Sequence, residues 1–166
     1  MLEQSSLLDE IREMLLNSPL LSNFPPAEIL SAARYFSLSH IDQDAVIFSE
    51  GELGTFMCLI TEGNVSVRKA NQDGENVELA NLPKGRTFGE MAVLDGERRS
   101  ATCIAATGCT LLILSKNSLE KMILESPTIA AKVIRAIAVS LSRRLRMADG
   151  KMVDYPLYGK MVDFEI

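Results

Sequence analysis

The 166-residue sequence has no tryptophan, a single histidine and three cysteines. One histidine excludes most imidazole chemistry. A metal-dependent β-roll enzyme of cupin type would want several histidines, and a phosphodiesterase would need a metal cluster whose ligands are not here. His40 stands near Asp42 and Asp44, which read as a solvated turn, and no Ser-His-Asp or Cys-His arrangement is convincing around it. The chain is therefore read as a non-enzyme without cofactor or metal. Cys58, Cys103 and Cys109 are an odd number without metal-ligand spacing, as expected of small buried thiols in a reducing interior. Basic charge is also scarce. With 17 Lys and Arg against 22 Asp and Glu, the net charge of -5 gives no electrostatic reason to bind nucleic acid. Arg143, Arg144 and Arg146 are the only tight basic cluster. Long apolar runs are missing as well: Glu3, Asp9 and Glu10 interrupt the N-terminal leucines, so neither a signal peptide nor a membrane helix is readable, and a cytoplasmic location is expected.

What is present is the balance of a globular domain, 47% hydrophobic and 23% charged, at a length that fits one domain. Leu7, Leu8, Ile11, Leu15 and Leu16 recur at helical spacing from Ser5 to Leu16, with Ser5 or Ser6 as N-cap. Asn17-Ser18-Pro19 ends that helix, and Pro25-Pro26 opens a second one through about Tyr35. From 37 to 115 the texture changes to short runs rich in Val, Ile, Thr and Phe, punctuated by glycines, which implies an all-β roll or barrel. The expected strands are Ala45–Phe48, Phe56–Thr61, Asn64–Ala70, Glu75–Leu82, Ser100–Ala106 and Thr110–Leu114. Alternation is clear at Val65 and Val67 and at Val77 and Leu79, and Asn71-Gln72-Asp73-Gly74 reads as a hairpin turn. Ser115 then caps a helix to about Glu125, and Pro127 starts a longer one to roughly Met147. Along it Ala131, Ile134, Ala138, Leu141, Leu145 and Ala148 form an a/d-like stripe, which packs either on the protein's own roll or on a second copy as a dimer seam. A short repeat, GKMVD at 150–154 and 159–163, reads as chance or an ordinary strand pair.

The most informative stretch is FGEMAVLDGERRSAT, Phe88 to Thr102. Gly89 lies where strands give way to the apolar turn Met91-Ala92-Val93-Leu94, so a short helix begins there with free backbone N–H groups, a place that receives anions. Glycine lets the backbone approach a ligand, and Glu90 beside it can accept from sugar hydroxyls. Ten residues on, the planar fork of Arg99 can hold two phosphate oxygens, with Ser100 as a further donor. On generic chemistry alone, Glu90 with Arg99 is more often a structural ion pair than a ligand site.

The same stretch closely resembles the phosphate-binding cassette of the cyclic-nucleotide-binding domains, found in catabolite activator proteins, protein kinase A regulatory subunits and cyclic-nucleotide-gated channels. That cassette runs Phe-Gly-Glu, aliphatic, Ala, two aliphatics, a variable link, then Arg, a small residue, Ala and often Thr. A second signature, a glycine pattern ahead of a β-hairpin, is met by Gly51, Gly54 and Gly63 in EGELGTFMCLITEGNVSV. SPLLSNFPPAEI resembles the entry segment, and the resemblance covers about 15 to 148. It implies an α+β fold, a double-stranded jelly-roll-like β-roll flanked by N-terminal helices and two C-terminal helices. The segments would be N-terminal helices at 1–36, the roll at 37–115 with its cassette at 88–102, hinge and lid helices at 116–148 and a tail at 149–166. In the cassette, Arg99 would neutralise a cyclic phosphate and Glu90 would accept from the ribose 2′-hydroxyl. Gly89, Met91, Ala92 and Ala101 would lie against the ligand, with Ser100 near phosphate or base.

Two departures bear on function. The Thr-Ser pair that reads adenine in the catabolite activator protein is replaced by Ala148-Asp149. Only about eighteen residues follow the long helix, too few for the helix-turn-helix of those transcription factors. The expectation is a module that senses a cyclic nucleotide, cyclic AMP favoured over cyclic GMP as the commoner ligand, and moves its C-terminal helices to signal to a protein effector the sequence does not name. The alternative is a ligand-free scaffold or interaction protein on the same fold.

Overall fold

The computed structural model describes the backbone of residues 2–153 and the side chains of residues 6–150. Three elements precede the roll: α1 (Leu2–Leu16), a single 3-10 turn (Pro19–Leu21) and α2 (Pro26–Ala33). Helix α1 starts before Ser5 and Ser6, so neither serine caps it. The roll contains β1 (Ser37–Ile41), β2 (Val46–Phe48), β3 (Phe56–Glu62), β4 (Val65–Ala70), β5 (Asn76–Leu82), β6 (Thr87–Phe88), a short helix α3 (Glu90–Asp95), β7 (Thr102–Ala105) and β8 (Cys109–Ser115). It is followed by α4 (Lys116–Glu125) and α5 (Pro127–Val153).

The strands make two four-stranded antiparallel sheets, ordered β1-β8-β3-β6 and β2-β7-β4-β5. Strand β1, which the sequence pattern misses, pairs along its whole length with β8, from Ser37 opposite Ile113 to Ile41 opposite Cys109. Residues on either side of Gly63 belong to different sheets, and Gly63 makes the crossing at φ +84. A Cβ there would meet the Gly108 carbonyl oxygen at 2.3 Å, so both its conformation and its surroundings call for glycine. The expected hairpin follows as β4 and β5, its turn held by Asn71 Oδ1, which accepts from the Asp73 and Glu75 amides at 3.0 and 2.8 Å.

The first sheet is buried on both faces. Cys58, Ile60 and Leu111 point into the roll with Phe48, Val65, Phe88 and Cys103, while Met57, Leu59, Leu112 and Leu114 face the helices. This is why β3 reads as an unbroken apolar run rather than an alternating one. On edge strand β5 the outcome differs from the sequence pattern. Val77 and Leu79 do alternate, but they are 45% and 60% exposed: Leu82 and Ala80 are the residues set opposite Val65 and Val67, the register shifts beyond them at Leu79, and Val77 lies opposite Lys69 toward the hairpin end. A one-residue choice of register sends a strand's alternate set to the other face.

At the C-terminal side, Ser115 caps α4 as its sequence suggests, its hydroxyl accepting from the Ser118 amide at 3.0 Å. Helix α5 buries Ala130, Val133 and Ile137 against the helical core, with Ile134 and Leu141 partly buried beside them. Ala131, Ala138 and Leu145 of the a/d-like stripe face outward. A Lys132–Glu28 ion pair, 2.7 Å, ties α5 to α2. The first GKMVD copy is helical through Val153, which removes the strand-pair reading for it, and the second copy lies outside the described residues.

Candidate functional site

Gly89 is the N-cap of α3 and takes φ 76, ψ 6, a left-handed conformation that glycine adopts without steric cost. It is also pinched. A Cβ would sit 2.6 Å from Arg99 Nη1 and 3.2 Å from both a Phe48 ring carbon and the Phe56 carbonyl oxygen. The residue thus turns the chain from β6 into α3 while leaving room for an arginine.

Arg99 fills that room and is 4% exposed. Its Nη1 donates to the Gly89 carbonyl at 2.9 Å and its Nη2 to the Phe56 carbonyl at 2.6 Å. The guanidinium carbon lies 3.8 Å from the centroid of the Phe48 ring and 4.8 Å from that of Phe56. Two carbonyls and two ring faces therefore orient the planar fork. A guanidinium carries five N–H groups. Two are used here, and Nε is buried without a partner among the described residues. Burial pulls the Arg99 pKa below its usual value, while neighbouring Cys58, Cys103, Glu52 and Glu90 act the other way. The group keeps its charge, since a guanidinium is not deprotonated in proteins.

The backbone flanking Arg99 is fixed as firmly as its side chain. Its amide donates to the Glu52 carbonyl and its carbonyl accepts from the Gly51 amide, both at 2.8 Å. Arg98 Nη1 donates to the Gly51 carbonyl at 2.8 Å. Gly54 lets α3 approach: a Cβ on it would lie 1.9 Å from the Ala92 Cβ. The glycine pattern and the cassette, read separately in the sequence, are thus two halves of one contact.

Glu90 opens α3 and is 2% exposed. It does not pair with Arg99. Its Oε1 accepts from Thr87 Oγ1 at 2.8 Å and from Arg144 Nη2 on α5. The Glu90–Arg99 ion pair expected on generic grounds is absent because Gly89 and Phe56 offer nearer acceptors to the arginine and α5 brings a different cation to the carboxylate. Met91 is 55% exposed, Ala92 is buried, and Ala101 is half-buried. The Ser100 side chain is exposed, and its carbonyl accepts from Lys69 Nζ at 3.1 Å. Thr87, Phe48, Phe56 and Arg144 were missed from sequence. Only Thr87, one turn before Glu90, stands close enough to the motif to have been noticed.

The three thiols are free and buried. Burial pushes Cys58 far above its ordinary range and Cys103 up to about 12, with Arg99 pulling both the other way. His40 lies on β1, its Nδ1 3.2 Å from Thr110 Oγ1, and Asp44 makes a turn at φ 66.

A family model described as the cyclic nucleotide-binding domain matches residues 38–126. The chain belongs to this family. A cyclic AMP receptor protein of Thermus thermophilus is 35% identical over 80% of this cyclic nucleotide-binding domain chain and 59% of the relative. A cyclic nucleotide-gated potassium channel of Mesorhizobium japonicum is 38% identical over 68% of this chain and 30% of the channel. Among solved structures, a cyclic nucleotide-binding domain from Methylobacillus flagellatus superposes with TM-score 0.77 at 26% identity, covering 88% of this chain and 82% of that one. The chain spans less than two thirds of the length of these curated relatives. Like that domain, it is a β-roll carried between N-terminal and C-terminal helices. No helix among the described residues is long and apolar enough to cross a membrane.

Proposed function

We propose that this domain binds a cyclic nucleotide, cyclic AMP favoured over cyclic GMP, at the Gly89–Ala101 cassette and converts occupancy into a movement of α5. The observation that carries the reading is Arg99: a buried cation held in place by two carbonyls, with three of its five N–H groups left for an incoming anion. In this reading the cyclic phosphate takes those N–H groups and Glu90 accepts from the ribose 2′-hydroxyl. Gly89, Met91, Ala92, Ser100 and Ala101 line the ligand.

Movement of α5 follows from competition. Glu90 Oε1 already holds Thr87 and Arg144, so a ribose hydroxyl arriving at Glu90 draws the carboxylate from Arg144 and loosens α5 from the roll. The outward Ala131, Ala138 and Leu145 would then serve a second copy or a protein effector. In this reading the role is that of a regulator rather than an enzyme, in keeping with relatives named as a cyclic AMP receptor and a kinase regulatory subunit, and its place is the cytoplasm.

Titration of nucleotide-stripped protein by calorimetry, with thermal melting beside it, tests the reading. Cyclic AMP at a hundred times its dissociation constant should add about 2.7 kcal/mol of stability. Arg99→Ala should weaken binding at least about tenfold, since charge-assisted hydrogen bonds contribute about 1.5 to 3 kcal/mol each. No heat and no melting shift with cyclic AMP, cyclic GMP or cyclic dinucleotides would leave the ligand-free scaffold in its place.

A further inference from the structure

We propose that the groove between α5, the 3-10 turn and the β5–β6 connection is a second ligand site, made for a small polyanion that carries a chain of phosphate groups. A cavity of about 730 Å³ opens there, within the span of small-molecule sites at about 300 to 1,000 Å³. Six cationic side chains line it: Lys84, Arg86, Lys132, Arg135, Arg143 and Arg144. Among the described residues no Asp or Glu lines it, although acids outnumber bases in the chain by 22 to 17.

Two of these cations are engaged outside the cavity, Lys132 with Glu28 and Arg144 with Glu90. Lys84, Arg86, Arg135 and Arg143 form no ion pair among the described residues. Lys132, Arg135 and Arg143 recur on one face of α5, and of the three only Lys132 has an acidic partner, Glu28. Arginine forks bind phosphate oxygens in pairs, and lysine adds a point charge. Leu20, Phe24 and Val139 supply an apolar wall beside the charges. The concavity, enclosed by three elements, fits a compact ligand better than a duplex, which binds to an open basic face.

Arg99, Met91 and Ala101 do not line this cavity, so it is separate from the cassette. Arg144 belongs to both. An anion that attracts Arg144 releases Glu90, and by linkage it raises the affinity of the cassette for its ligand. That coupling rests on the proposed function above, whereas the anion site itself does not.

The test is calorimetric titration of the full chain with sodium tripolyphosphate, and separately with a nucleoside triphosphate, in the absence of cyclic nucleotide. One saturable site is expected, weakening as salt rises. Arg135→Ala with Arg143→Ala, both at exposed positions, should lower the affinity at least about tenfold with an unchanged melting temperature. Lys121→Ala on α4 should have no effect, and Arg99→Ala should leave tripolyphosphate bound. Tighter binding of the nucleoside triphosphate assigns the apolar wall to a base, and equal binding assigns the site to the phosphate chain alone. The proposal is overturned if neither titrant saturates, if Lys121→Ala weakens binding as much as the double variant, or if only duplex DNA or anionic vesicles bind. Tripolyphosphate binding without any cyclic AMP binding would sink the cassette reading and leave this site standing.

Discussion

Arg144 of α5 and Glu90 of α3 form an ion pair across 54 residues of sequence, and the same Glu90 oxygen also accepts from Thr87. Glu90 is almost fully buried while the arginine is one-third exposed, so the pair joins a fixed carboxylate to a cation that can leave. A double-mutant cycle of Glu90→Gln and Arg144→Ala, followed by urea unfolding, should give a coupling energy of about 1 to 2 kcal/mol. A cycle that closes at zero would mean that α5 is not held through this contact.

Gly89→Ala should cost stability and ligand binding together. The left-handed backbone penalises an alanine by about 1 to 2 kcal/mol, and the new methyl displaces the Arg99 guanidinium from 2.6 Å. Denaturant midpoints and cyclic AMP titration read the two effects separately, and Gly51→Ala is the comparison. Gly51 has φ 83 but open space around it, so it should lose stability with less effect on Arg99.

Gly54→Ala should destabilise by about 1 to 3 kcal/mol through overpacking against Ala92. Adding Ala92→Gly removes the opposing methyl and should recover part of the loss, less about 1 kcal/mol for glycine inside a helix. Additive losses in the double variant would show that Gly54 is needed for another reason.

Alkali should unfold the protein through its thiols. Cys58 and Cys103 are raised in the fold, so above the ordinary thiol value of 9.0 the unfolded chain releases protons that the native state retains. Native protein then binds more protons than unfolded, and stability falls as pH rises from about 9 toward 12, by at most about 1.4 kcal/mol per pH unit for each thiol. Cys103→Ala should flatten that slope in urea titrations at pH 8 to 10.5. An unchanged slope would place the alkaline loss elsewhere.

Legibility in the sequence tracked how local each feature was. The short helix that starts after Gly89, the glycine turns and the Ser115 cap depend on neighbours within a few residues, and each appears where its residues suggested. Strand β1, SLSHI, was invisible because only Leu38 and Ile41 are apolar, and its order comes from pairing with β8. On α5 two apolar faces differ by one residue in phase. The heptad stripe chose Ala131, Ala138 and Leu145, whereas the core took Ala130, Val133 and Ile137, a choice made by the helices already packed beneath. Arg144 could not be matched to Glu90 from spacing, since nothing in either segment encodes the angle at which α5 returns.

The pairing of β1 with β8 has a consequence for how the molecule comes into being. The strand formed first in the chain is completed only by the last one of the roll, about seventy residues later, with β3 then enclosed between β8 and β6. The walls around Arg99 come from Phe48, Phe56 and Gly89, all of which lie within that interval and earlier in the chain than the arginine. These walls are made before the arginine, but the sheet that holds Phe56 in place is complete only when β8 has been made and has paired with β3. Folding dominated by such distant pairings is slow, on the order of milliseconds to seconds.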